Sequence, residues 1–114
     1  MTELQVCMEF MSSMFMNMFS VERPNLGCRE LVYRNFSKIL SGLLKDIFDW
    51  VAPTRVKSAQ LLYILVLNNE GNVTMHLEKL LNGLYKACMD EEKDVVSYVS
   101  MSLQKCVLDE INFI

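Results

Sequence analysis

The chain is poor in turn-forming residues: two prolines and four glycines among 114 residues exclude a low-complexity or loop-dominated protein and favour long regular elements. It has no excess of positive charge. Eleven Lys plus Arg against 14 Asp plus Glu give a formal charge of -3, so the basic footprint that neutralises phosphates is missing and nucleic acid is not an expected partner. Long apolar runs are absent too. The longest spans residues 61–67, far short of the ~20 needed to cross a bilayer, so no membrane partner is expected. The apolar, Met-rich beginning has no cationic segment and is interrupted by Glu3 and Glu9, which argues against a secretory leader and for a cytoplasmic chain.

Residues that carry chemistry are equally scarce. Cys7, Cys28, Cys88 and Cys106 are 21, 60 and 18 residues apart, without the close spacing that holds zinc. Cys7, Cys88 and Cys106 fall on apolar stripes, where a free thiol acts as a small hydrophobe. The single histidine, His76, has no nucleophile or carboxylate partner in view, and there is no Gly-rich phosphate loop. A surface histidine without catalytic duty is the plainer reading. The chain is therefore read as no enzyme, with no catalytic residue, no cofactor and no metal site. The run 90–94 lacks the loop glycine and alternating ligands of an EF-hand. In the segment 14–18, the thioethers of Met14, Met16 and Met18 suggest Cu(I), but on a helix Met16 points away from the other two, so flexible packing is the simpler use. The sequons at Asn35 and Asn72 would matter only in a secreted protein.

What the sequence does have is helical periodicity, with apolar residues making up 52% of the chain. Apolar positions at steps of three and four predict helices at about 3–19, 29–50, 54–68, 73–88 and 93–109. Thr54 is placed to cap the third. The segment 61–67 is apolar all round, as in an enclosed helix. Gly71, in the polar stretch 68–72, is able to end that helix in a left-handed conformation. Gly83 lies inside the fourth helix at a cost of ~1 kcal/mol, for which close approach of a neighbouring helix is a reason.

The stripe Val56, Ala59, Tyr63, Val66 recurs as Val96, Val99, Leu103, Cys106, a shift of 40 residues. Each copy follows a polar or Pro-containing turn and a preceding amphipathic segment, so the repeat is a helical hairpin. A period near 40 is that of paired-helix solenoids. The expected fold is all-α: one α-solenoid segment over 1–114 of about five helices, with helix 1 at 3–19, one hairpin at 29–68 and a second at 73–109. Stacked hairpins offer an extended surface, so binding is favoured over catalysis.

The string Pro53-Thr54-Arg55-Val56-Lys57-Ser58-Ala59-Gln60-Leu61-Leu62 resembles the second helix of a HEAT repeat, which opens after an Asp- or Pro-containing turn with Val-Arg/Lys-x-Ala. The second copy, from Asp90 to Val96, keeps the turn better than the Val-Lys-x-Ala core. Together with Met75-His76-Leu77-Glu78 and Cys88-Met89-Asp90-Glu91-Glu92-Lys93, the chain is similar to the HEAT-repeat factors that assemble axonemal dynein. That resemblance implies a cytoplasmic, noncatalytic scaffold for preassembly of dynein arms of motile cilia, with dynein chains and other assembly factors as partners. It also implies a fragment or short isoform, since such factors contain many more repeats.

Arg55 and Lys57 are the candidate partner-binding residues, because second helices line the concave side of such solenoids. For Arg55 the alternative is an ion pair with a turn acid of the adjoining repeat. Two other functions stay open, a HEAT-type regulator outside cilia and a small helical bundle that binds a ligand or Cu(I) through its Met-rich helix.

Overall fold

The computed structural model describes residues 26–113, and side chains within 30–69 and 71–108. The expected helix at 3–19, with its methionines and Cys7, lies outside the described residues. Six helices follow in order: α1 (Leu26–Arg34), α2 (Phe36–Asp46), α3 (Ala52–Asn68), α4 (Glu70–Met75), α5 (Leu77–Ala87) and α6 (Lys93–Phe113). The protein is all-α, and α1–α2 with α3, then α4–α5 with α6, make two stacked hairpins of an α-solenoid.

The single helices expected at 29–50 and 73–88 are each bent. At Asn35 (φ -102°, ψ 12°) the side-chain amide donates to the Leu31 carbonyl at 2.9 Å, competing with the backbone for an i-4 acceptor and bending the helix there. His76 (φ -114°, ψ 22°) holds the matching position in the second hairpin, and its Nδ1 lies 3.0 Å from the Asn72 carbonyl oxygen. The ladder continues across both bends, through Ile39 N–H to Asn35 O and Leu80 N–H to His76 O. The kinks are tied to each other. The Asn72 amide donates to the Tyr33 carbonyl at 3.2 Å, and the rings of Phe36 and His76 lie 5.2 Å apart. Asn35 and Asn72 are both buried, which leaves neither amide accessible for a glycan.

Helix α3 begins at Ala52, earlier than a Thr54 cap requires. Asp49 sets up the start: its Oδ1 accepts from Val51 N–H at 2.9 Å, and Pro53 occupies the first turn, where its missing N–H costs no hydrogen bond. Thr54 is thus inside the helix. At the other end no glycine adopts a positive φ, and Gly71 lies within α4. The corner is made by two asparagines. Asn68 donates to Ile64 O at 3.0 Å and Asn69 to Leu65 O at 2.9 Å, satisfying carbonyls that a helix end leaves open. The next helix starts at Glu70.

The core runs through both hairpins. Phe36, Ile39, Leu40, Leu43 and Ile47 meet Ala59, Leu62, Leu65 and Val66, and Val73, Leu80, Leu84, Val95, Val99 and Cys106 extend it. In the run 61–67, five of the seven side chains are buried, because α3 packs on α2 and α4 and also against α6. The repeat is visible in this burial. Ala59 and Val99 are buried, as are Val66 and Cys106, whereas Val56 and Val96, like Tyr63 and Leu103, are half-buried. On α6 the innermost row is Val95, Val99, Ser102 and Cys106. The apolar spacing of the helices expected at 93–109 and 29–50 predicts Val107 and Phe48 on their buried sides; Val107 is instead 54% exposed, and Phe48 is 50% exposed beyond the end of α2.

Gly83 marks the close approach of α2 and α5. A Cβ built on it would lie 2.5 Å from Leu44 Cδ2. Nearby, Lys79 donates to Ser41 Oγ at 2.6 Å across the same pair of helices.

Candidate functional site

The two interhelical turns that precede α3 and α6 are built alike. In the first, Asp49 Oδ1 accepts from Val51 N–H at 2.9 Å; in the second, Asp90 Oδ1 accepts from Glu92 N–H at 2.8 Å. An aspartate that bonds the backbone two residues on makes a local turn and delivers the chain to the next helix. Positions 49 and 90 stand 41 apart, as do the kinks at 35 and 76, whereas the α3 and α6 stripes are offset by 40. The second turn is thus one residue shorter.

Arg55, in the first turn of α3, joins these two structures. Its Nε–H donates to Asp90 Oδ2 at 2.8 Å, Nη2 reaches Asp90 Oδ1 at 3.3 Å, and Nη1 donates to the Asp49 carbonyl at 3.0 Å. The side chains are 13% and 12% exposed. A rigid guanidinium fork matched to a carboxylate in such a dry place is a strong, oriented contact, unlike a solvent-exposed ion pair. It ties the end of the first hairpin's leading helix to the turn of the second. In the second hairpin the position matching Arg55 is Val95, which is fully buried, so the arginine contact is not repeated there.

The candidate residues therefore part company. Arg55 spends its donors inside the fold, while Lys57, one half-turn further along α3, is exposed. Gln60, one turn on, donates to the Tyr98 hydroxyl at 3.3 Å, a polar link between α3 and α6. His76 is half-buried against Phe36 rather than on the surface. Cys88 and Cys106 are thiols outside any disulfide, half-buried and buried respectively. Among the described residues no group of His, Cys, Asp and Glu is placed to hold a metal ion, and no helix is long and apolar enough to cross a membrane. Periodicity places Phe48 with the buried side of its helix and does not point to Trp50 or Met89; these three apolar turn residues are 50%, 90% and 74% exposed. The available signal was that these large side chains sit in polar turns.

The family described as "Dynein axonemal assembly factor 5, HEAT-repeat domain" matches residues 17–105. Dynein axonemal assembly factor 5 of Mus musculus is 60% identical over 74 residues, covering 65% of this chain and 9% of the relative. The Homo sapiens protein of the same name is 57% identical over 82 residues, 72% of this chain and 10% of the relative. That of Drosophila melanogaster is 33% identical over 75 residues, 66% of this chain and 9% of the relative. The chain thus spans about a tenth of the length of these curated relatives. No solved structure matches it. With two kinked hairpins in register and a family match across most of its length, this chain belongs to the HEAT-repeat domain family of dynein axonemal assembly factor 5.

Proposed function

We propose that this chain is a noncatalytic segment of a protein-interaction scaffold that works in the preassembly of axonemal dynein arms in the cytoplasm. Its partners on this reading are dynein chains and other assembly factors. The observation that carries the reading is the Arg55 contact, which locks adjacent hairpins together at 2.8 Å across the interhelical turns. A solenoid fixed in this way holds a stable outer surface, and extended surfaces of stacked repeats recognise other proteins. The relatives' printed name supplies the assembly role. Lys57 is the exposed cation of α3, placed to meet an acidic patch of a partner, and Arg55 contributes by holding α3 in position.

The test is affinity capture of the tagged chain from cytosol of cells that are building motile cilia, read by mass spectrometry. Enrichment of axonemal dynein chains or their assembly factors, reduced by Lys57→Glu, is the expected result. Failure to enrich either class would remove the ciliary assignment and leave a HEAT-type scaffold with other partners.

A further inference from the structure

We infer that the edge formed by the two interhelical turns is a docking surface for a basic polypeptide segment with apolar anchors. Trp50 is 90% exposed and lies between half-buried Asp49 and Val51 in the first turn; Phe48 is 50% and Met89 in the second turn 74% exposed. The turns adjoin, because the Asp49 carbonyl and the Asp90 carboxylate bind the same guanidinium, at 3.0 Å and 2.8 Å. Phe48 and Trp50 flank one of those residues and Met89 the other, so three exposed apolar residues sit in two adjoining turns at one edge. That edge is held by an internal ion pair rather than by the apolar groups themselves, which are left for another surface.

Large apolar side chains are usually withdrawn from water, and Trp and other aromatics are the commonest anchors of protein interfaces. Charge selects the occupant. Across residues 45–49 and 86–94 the two turns carry six carboxylates against three lysines, and Arg55 neutralises one of the six. The remaining field is negative, Glu91 is exposed, and the face of an exposed indole attracts Lys and Arg side chains. Nucleic acids and anionic lipid surfaces are repelled by the same field. A protein segment that places apolar residues on Phe48, Trp50 and Met89 and its Lys or Arg side chains beside Glu91 and Glu92 satisfies both features.

This inference rests on the scaffold reading but assigns a contact distinct from Lys57, and it has its own probe, since Trp50 is the sole tryptophan. The full chain is titrated with a synthetic Leu/Lys peptide free of Trp and Tyr, and with matched peptides carrying Glu or Gln in place of Lys, while Trp50 emission is recorded. The expected result is a saturable blue shift with the Lys peptide, at least tenfold weaker binding of the Glu peptide, and loss of affinity as salt rises. Phe48→Ser with Met89→Ser, or Glu91→Lys with Glu92→Lys, should weaken binding at least tenfold with the circular-dichroism melting curve retained. Gln104→Ser on α6 should not change it. No shift, or equal shifts with all three peptides, overturns the inference, as does a blue shift that grows with protein concentration alone, which would make a second copy the occupant. Peptide binding with no dynein chain captured would defeat only the ciliary assignment; dynein capture by a native chain whose Trp50 emission does not respond to the Lys peptide would defeat only this surface.

Discussion

Replacing Asp90 by Asn keeps the shape of the side chain and the acceptor for Glu92 N–H, and removes the charge opposite Arg55. The guanidinium then stays in a site where the two side chains are 13% and 12% exposed, bonded to the Asp49 carbonyl and, through Nη2, to the amide oxygen, while Nε–H faces an amide NH2 that cannot accept. Hydrogen bonds to charged groups are worth about 1.5–3 kcal/mol each, and stripping one partner from a fully buried pair costs about 3–5 kcal/mol. Residual water access places this site below the fully buried case, so the expected loss is about 2 kcal/mol, or about 8 °C in Tm at ~4 °C per kcal/mol for a domain of this size. Arg55→Met should cost a similar amount. The double variant Arg55→Met/Asp90→Leu should recover at least ~1 kcal/mol relative to the sum of the single changes, because no unpaired charge remains. Urea denaturation at two salt concentrations measures all of these, and high salt should change the cost little, since the pair is mostly shielded from the ion atmosphere. A loss under ~0.5 kcal/mol for Asp90→Asn, or strictly additive single changes, would place this contact with weak surface pairs and refute its role as the link between hairpins.

Three further outcomes follow from the packing. Gly83→Ala directs a methyl at Leu44 Cδ2, 2.5 Å away, so in a Leu44→Ala background it should stabilise by up to ~1 kcal/mol, the helix-propensity gain, and in the native background by distinctly less; equal effects in a double-mutant cycle would mean that the two residues do not touch. Leu40→Ala, at a position with 0% exposure, should cost about 2–5 kcal/mol in urea unfolding. In native protein a thiol reagent should modify half-buried Cys88 well before buried Cys106, with both equally reactive once unfolded.

Much of this fold is legible from apolar spacing alone. The stripes through Ile39, Leu43 and Ile47, and through Ala59, Leu62 and Val66, are buried in the structure, as a helix with one or more packed faces requires. The bends at Asn35 and His76 are not legible in that way, because the apolar rows run on through them and the cause is a side chain competing for backbone partners. Val107 illustrates a different limit. It is apolar and in register with half-buried Val96 and Leu103, yet 54% exposed, because periodicity gives the direction of a side chain around its own helix and says nothing of whether a neighbour reaches it. Gly71 and Thr54 are of residue types that suit helix ends, yet both lie inside helices. At the helix end Asn68 and Asn69 bond the open carbonyls, and at the start Asp49 turns the chain by accepting from Val51 N–H, since each has a side-chain group within reach of a backbone partner. For the candidate site, the basic residues of the Val-Lys-x-Ala string were visible in the sequence. The division between Arg55, turned inward to Asp90, and Lys57, left in solvent, depends on a partner 35 positions away.

The two hairpins form one stacked body, locked at their turns by Arg55 and Asp90. Native-state hydrogen exchange tests it most directly, since cooperative units share a single opening free energy. Buried amides of α2, α3, α5 and α6 should exchange with one common opening free energy, and Asp90→Asn should lower the value for all four helices together. Independent exchange of α5 and α6, with α2 and α3 unaffected by the substitution, would contradict it.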